Sequence, residues 1–351
     1  MKKYYSFRLF AGKVSFLIDK KATRTILFLM GLTAMVFIIS TGLGDFAINP
    51  FTTISMFFGG GTDMEQLVVF QFRLPRIIVS LLAGMSLAVA GGLLQGIIRN
   101  PLASPDIIGL TAGAGTAVMA FLWIFSNNNH SLYVSIQWLP IAAFIGATIV
   151  ALVVYLLSWR NGVTPIRLVL IGIGLSALMQ AATTMFMILG PIYQASQANI
   201  WMIGSVNNAS WENVWFLLPS TTILLVIAFI SSRNVNVQEL GEDVATGVGS
   251  YVQKHRFMLL FISTALVGGA VAFAGGIGFV GLMAPHMARR LVGSSFGALL
   301  PTSAFIGALL VMLADLVGRT LFLPIIIPAG VFTAGIGAPY YIYLLIKTKN
   351  G

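Results

Sequence analysis

Groups able to do chemistry are scarce in these 351 residues: three histidines, ten carboxylates, twenty Lys and Arg, and no cysteine. His130, His255 and His286 stand far from one another and from any second ligand in sequence, so none completes a metal site. Within the apolar runs no Ser–His pair or pair of carboxylates offers nucleophilic or acid–base catalysis. The lack of cysteine removes thiolate sites, disulfides and cysteine nucleophiles together. No G-x-x-x-x-G-K-[ST] sequence occurs, so the chain has no phosphate loop with which to hydrolyse ATP. Gly276-Ile277-Gly278-Phe279-Val280-Gly281 does match G-x-G-x-x-G, but no βαβ unit surrounds it and no acid follows about 20 residues on. Close helix packing is the reading it favours. An ion-coupled carrier needs ionisable groups at mid-membrane despite a cost of ~2.5–3.5 kcal/mol or more each. Here every acid falls at or near the end of an apolar run, Asp315 deepest, with Arg319 one turn later as an i,i+4 partner. Any energy source must then lie outside this chain.

The elements that hold these groups follow from composition. Hydrophobic residues are 58% and charged residues 9%, against roughly 25% charged in a soluble domain. The chain is therefore expected to be an all-α integral membrane protein. With about 20 apolar residues per crossing, the runs divide at polar, Gly and Pro punctuation such as Asn127-Asn128-Asn129 and Pro191 into ten helices. Their limits are 25–42, 76–98, 107–125, 137–158, 168–189, 212–232, 256–274, 277–292, 298–319 and 330–346. Lys and Arg are retained in the cytoplasm near span ends. An inside N-terminus puts 17 of the 20 there and only Arg73, Arg76 and Arg319 outside, with both termini cytoplasmic. Because these cations sit at the ends of apolar runs, the net charge of +10 is a topological signal and no nucleic-acid footprint. Residues 1–24 form a basic cytoplasmic tail, 25–346 the membrane domain and 347–351 a second short tail. The apolar run after residue 24 is too long for a signal peptide, and 43–72 is an external segment.

Three groups of residues stand out on this frame. The loop 233–256 is the longest cytoplasmic connection and the one rich in acids. Within Glu239-Leu240-Gly241-Glu242-Asp243-Val244-Ala245-Thr246-Gly247-Val248-Gly249, Leu240, Val244 and Val248 recur at i, i+4 and i+8. Such an amphipathic stretch serves either a partner or the membrane surface. Arg73 and Arg76 flank Pro75 at a helix start, where the dipole disfavours cations, and so ask for an anionic partner. Lipid headgroups, Asp63 or Glu65 could equally satisfy them, and Asp315 could satisfy Arg319. On the fifth span Ser176, Gln180, Thr183, Thr184 and Met187 form a mildly polar face, either lining a path or joining helices by hydrogen bonds. Gly84, Ala88, Gly92 and Gly96 recur every fourth residue on the second span and signal tight packing.

Arg73-Leu74-Pro75-Arg76, Gly91-Gly92-Leu93-Leu94-Gln95-Gly96 with Arg99-Asn100-Pro101-Leu102-Ala103-Ser104-Pro105, Leu240-Gly241-Glu242, Gly276 to Leu282 with Pro285-His286, and Pro328-Ala329-Gly330 with Gly337-Ala338-Pro339 occur in that order. Together they resemble permease subunits of ATP-binding-cassette importers for ferric siderophores, haem and vitamin B12, the FecCD/BtuC type. The resemblance covers about 70–345 and leaves 1–24 outside. It implies a ten-helix type II importer permease in a bacterial cytoplasmic membrane. Its implied partners are a second permease subunit, two cytoplasmic ATPases and an extracytoplasmic binding lipoprotein. It also implies that the segment containing Glu239, Leu240, Gly241, Glu242, Asp243, Val244, Ala245 and Gly249 couples to the ATPase. By the same resemblance Arg73, Arg76 and Arg319 meet acidic residues of the binding protein, and the fifth span lines the path. No cofactor is expected: ATP belongs to the partners, and iron travels as a chelate. The polar face of the fifth span has no His, Tyr or Cys to ligate haem iron, which favours a siderophore over haem; vitamin B12 and, more distantly, a secondary transporter are the alternatives.

Overall fold

Backbone N–H and C=O groups in lipid must bond within their own segment, and the chain is accordingly helical almost throughout. The computed structural model describes residues 4–9, 14–126, 133–160, 162–190 and 199–349. Asn127-Asn128-Asn129, His130 and Pro191 lie outside the described residues. The chain starts with a hairpin, β1 (Tyr4–Leu9) and β2 (Val14–Asp19), where sequence suggested only a basic tail. Asp19 ends β2 and caps α1 (Lys20–Gly42), accepting from the Lys21 and Ala22 N–H groups. The external segment holds α2 (Pro50–Met56) and α3 (Asp63–Leu67). The chain then passes through a π-helical turn, Val68–Arg73, into α4 (Leu74–Ile98). Glu65 closes a capping box with Thr62 and so is not the partner of an arginine. There follow α5 (Leu110–Ile124), α6 (Leu139–Ser158), α7 (Pro165–Leu189), α8 (Trp211–Ile230), α9 (Ser232–Glu239) and α10 (Glu242–Gly247). The remainder is α11 (Val252–Ala274), α12 (Val280–Val292), α13 (Phe296–Thr320) and α14 (Ala329–Lys349).

A helix occupies each of the ten apolar segments. Among the described residues eight helices are long and apolar enough to cross a membrane. The other two, α5 and α12, have only 15 and 13 residues. Their expected limits of 107–125 and 277–292 were too long for a physical reason: both helices start inside the bundle. Gly109, just before α5, lies against Ser176 halfway along α7, where a Cβ would come within 3.3 Å. Gly281, in the first turn of α12, packs on Leu87 halfway along α4, and on Pro105. The chain thus climbs back into the protein at 99–109 and at 275–279 before each helix begins. Irregular backbone at that depth is tolerated where other protein surrounds it.

The core is built around α4, which packs on α13, α11, α12 and α8. Its small residues let backbones touch: a Cβ on Gly84 would overlap the Gly307 carbonyl, and one on Gly91 the Gly281 carbonyl. Gly96 abuts Val235 and Phe296. At a 1.5 Å rise, Arg76 and Gly96 lie about 30 Å apart along this helix, the thickness of a hydrocarbon core. The two ends so defined organise the molecule. Arg73, Arg76, Asp315, Arg319 and the last turn of α1 share one end. Val235, α9, α10 and Phe296 share the other. Since α1 finishes among the arginines, its first residue and the preceding hairpin lie at the opposite end, with α9 and α10. On α14, Gly330 touches Ile203 and Gly204 near the arginine end, while Tyr343 lies beside Arg290 near α9.

Candidate functional site

The acidic loop folds into two short helices, α9 and α10, rather than one amphipathic helix. Gly241 separates them at φ +116°, a left-handed backbone that side chains disfavour; a Cβ there would meet nothing, so conformation and not space makes glycine fit. Each helix has its own anchor. Glu239, at the end of α9, pairs with Arg289 of α12 at 3.2 Å. Asn236 accepts the Phe296 N–H at 2.9 Å, at the start of α13. Glu242, at the start of α10, accepts from Gln253 at 3.1 Å and pairs with buried Arg256 at 3.5 Å, both on α11. Arg256 in turn donates to the Val163 carbonyl, and Gln253 accepts the Val163 N–H. Ala245 faces inward, and Asp243 and Gly249 are exposed. Leu240, Val244 and Val248 turn outward, 65%, 50% and 67% exposed, although they no longer share one helix. Tyr251, 76% exposed, extends the patch; the helical spacing missed it because it lies past the turn at Gly249. The segment is therefore an apolar knuckle gripped by polar anchors on α11, α12 and α13.

At the other end the three arginines are together but not free. Arg73, Arg76 and Arg319 are only 6%, 8% and 6% exposed. Arg73 donates to the carbonyls of Thr41 at 2.8 Å, Gly42 at 3.1 Å, and Phe46. Arg76 holds Asp315 through Nε and Nη2, at 2.8 to 3.0 Å, and donates to Asn207. Arg319 donates to the Ser40 carbonyl and lies 3.7 Å from Asp315, which is bound more closely by Arg76 than by its i,i+4 neighbour. The expectation of cations presented at the surface is thus corrected: the arginines pin the end of α1, the following loop, Asn207 and α13 into one plate.

On α7 the predicted polar face divides. Thr183 is buried and shares a 2.9 Å hydrogen bond with Thr116 of α5, so it joins two helices. Gln180 and Thr184 are exposed, Ser176 and Met187 half-buried, and Gln180 reaches Ser176 at 3.5 Å. Between α5 and α12 sits a carboxylate that sequence reading assigned to a span end. Asp106 accepts from the Thr111 hydroxyl at 2.8 Å and from the Phe279 N–H, and so ties the starts of both broken helices. Two positive helix ends favour a carboxylate there. Phe279 itself has φ +68° and packs on Gly337. His286 meets the Tyr340 hydroxyl at 2.6 Å. Among the described residues no three His, Cys, Asp or Glu gather as a metal site. Two glycines of the G-x-G-x-x-G match serve backbone contacts: Gly276 donates to the Trp201 carbonyl at 3.0 Å, and Gly281 meets Gly91 and Pro105.

Segments distant in sequence thus meet at the broken helices, 276–286 touching both 91–105 and 330–339. Residues 32–347 match the FecCD transport family. The chain is 59% identical over 332 residues to the "Probable siderophore transport system permease protein YfhA" of Bacillus subtilis (strain 168), covering 95% of this chain and 97% of that protein. It is 43% identical to the iron(3+)-hydroxamate import system permease protein FhuG of the same organism, over 91% and 95% of the two chains. A solved inward-facing chain from an ABC transporter assigned to the metal-chelate type superposes with a TM-score of 0.81 at 31% identity, over 93% and 99% of the two chains. The protein belongs to the FecCD transport family, as a non-catalytic, multi-pass membrane permease subunit of an ABC importer.

Proposed function

We propose that this permease crosses the membrane ten times with both termini in the cytoplasm and imports a ferric siderophore, driven by ATPases supplied in trans. The observation that carries the reading is the exposed patch of Leu240, Val244, Val248 and Tyr251 on a segment whose Glu239 and Glu242 are anchored on its own bundle. A patch so anchored transmits force: a partner that seats on it pulls α11 through Glu242 and α12 through Glu239. Two cytoplasmic ATPase subunits, one per permease, are the partners that fit a chain without a phosphate loop. The second permease subunit, a copy or a relative, faces α7, whose Ser176, Gln180, Thr184 and Met187 then border the path; Thr183 leaves that set for helix packing. Gly241 and the acids around it are the coupling residues. At the other end an extracytoplasmic binding lipoprotein docks on the plate that Arg73, Arg76 and Arg319 hold in shape, so these arginines position the docking surface from beneath it. The siderophore cargo is supported by the names of the relatives YfhA and FhuG.

The test is coupled transport in vesicles holding the complete transporter. Val244→Asp is expected to cut ATPase co-purification and uptake at least tenfold while the unfolding temperature of the permease holds. Gly241→Pro, which cannot adopt φ +116°, and Glu242→Lys should leave ATP hydrolysis running without transport. Normal uptake by all three variants would remove the segment from the coupling path.

A further inference from the structure

Two cations at the end of the bundle that carries α9 and α10 have no acid to neutralise them. Arg290, in the last turn of α12, and Lys347, near the end of α14, are both exposed. Among the described residues neither joins an ion pair. Their neighbour Arg289 differs, since Glu239 holds it at 3.2 Å. Arg290 and Lys347 instead converge on one phenol. Each lies 5.9 Å from the centre of the Tyr343 ring, and both bear on its hydroxyl. A neutral phenol cancels neither charge. The negative ends of α12 and α14 offset about half a charge each, which leaves the pair cationic. Two cations from two helices, open to the outside, suit an anion with several oxygens, as a phosphate has.

Depth and the surrounding surface say which phosphate. α14 starts near the arginine plate, where Gly330 touches Ile203 and Gly204. Lys347 follows Ala329 by roughly 27 Å at a 1.5 Å rise per residue, close to the ~30 Å of a hydrocarbon core. The two cations therefore stand at headgroup level on the opposite side. Toward the membrane interior, Ile336, Pro339 and Tyr343 precede Lys347 on one face of α14, spaced at i, i+3, i+7 and i+11, and all four are exposed. A cation pair at headgroup level above an exposed apolar strip matches a molecule with a phosphate at one end and hydrocarbon at the other. We infer that the seam between α12 and α14 binds one anionic phospholipid, its phosphate on Arg290 and Lys347 and an acyl chain along Tyr343, Pro339 and Ile336. A choline headgroup brings a cation of its own, which this pair repels. Bound there, the phosphate ties α12 to α14 one turn beyond the bond between His286 and Tyr340. The site depends on the embedding of these two helices in the membrane and not on the cargo or the ATPase contact.

The test is native mass spectrometry of the full permease chain in detergent, titrated with phosphatidylglycerol, phosphatidylcholine or inorganic phosphate. One phosphatidylglycerol per permease is expected to remain bound at concentrations where phosphatidylcholine is lost, and millimolar inorganic phosphate should not displace it. Lys347→Gln should weaken phosphatidylglycerol binding about fivefold, and Arg290→Gln combined with Lys347→Gln about 30-fold, since each cation near a membrane surface contributes about fivefold. Arg160→Gln with Lys254→Gln, which removes two exposed cations at the same end, should leave binding unchanged. Equal binding of the two lipids, equal loss in both double variants, or displacement by inorganic phosphate overturns the site. A second reading asks whether protein covers the strip instead. With no native cysteine, Ile336→Cys is unique in the chain. In native membranes it is expected to stay uncross-linked on oxidation; a cross-link to a second permease copy overturns the lipid site.

Discussion

Asp315 with Arg76 and Arg319 forms a buried ion-paired cluster, and Arg73 lies at the same end on backbone carbonyls. Removing one partner of a buried, hydrogen-bonded pair leaves a charge without compensation, at a cost of ~3–5 kcal/mol. Asp315→Ala is therefore expected to lower the unfolding temperature of the purified permease strongly, while Arg76→Met combined with Asp315→Leu recovers part of the loss. A simple surface role would leave Asp315→Ala nearly neutral. Sequence located these arginines correctly at span ends but misjudged their exposure. Arg73 and Arg319 are satisfied by carbonyls of Ser40, Thr41, Gly42 and Phe46, and a backbone carbonyl carries no residue-type signal. Asp106 was hidden for a related reason. After a proline and before a helix it reads as a loop acid, and only the packing of 99–109 reveals its depth.

Among elements, the glycines of α4 were legible because a small residue every fourth position needs no knowledge of the partner, whereas the identity of the partner did. Gly91→Ala is expected to destabilise by about 1–3 kcal/mol through overpacking, since its Cβ would overlap the Gly281 carbonyl of another helix. Gly31→Ala on α1, where a Cβ meets nothing, is the neutral comparison in the same thermal unfolding assay. Equal behaviour of the two would contradict the close approach of α4 and α12. The broken helices were legible only in part. Apolar runs mark where chain is buried but not where a helix begins within the run, and Gly109, Gly275 and Phe279 supply that information through their left-handed backbone. Residues 239–249 show the same limit: periodicity found exposed Leu240, Val244 and Val248, and Gly241 broke the helix that periodicity implied.

At the scale of the whole molecule, one helix, α4, about 37 Å long, joins two differently built ends. One is a plate of arginines clamped on carbonyls and Asp315; the other is an apolar knuckle hung on Glu239 and Glu242. In the proposed function a motor acting on the knuckle moves α11 and α12, and α12 starts at the mid-bundle junction with Asp106 and α5. Uptake of a ferric siderophore into vesicles containing this permease, its ATPases and its binding protein tests that coupling most directly. The account predicts uptake that requires ATP on the side of residues 239–249, is lost in Val244→Asp, and is unaffected by a protonophore. Uptake that continues without the ATPases and collapses with the proton gradient would contradict it.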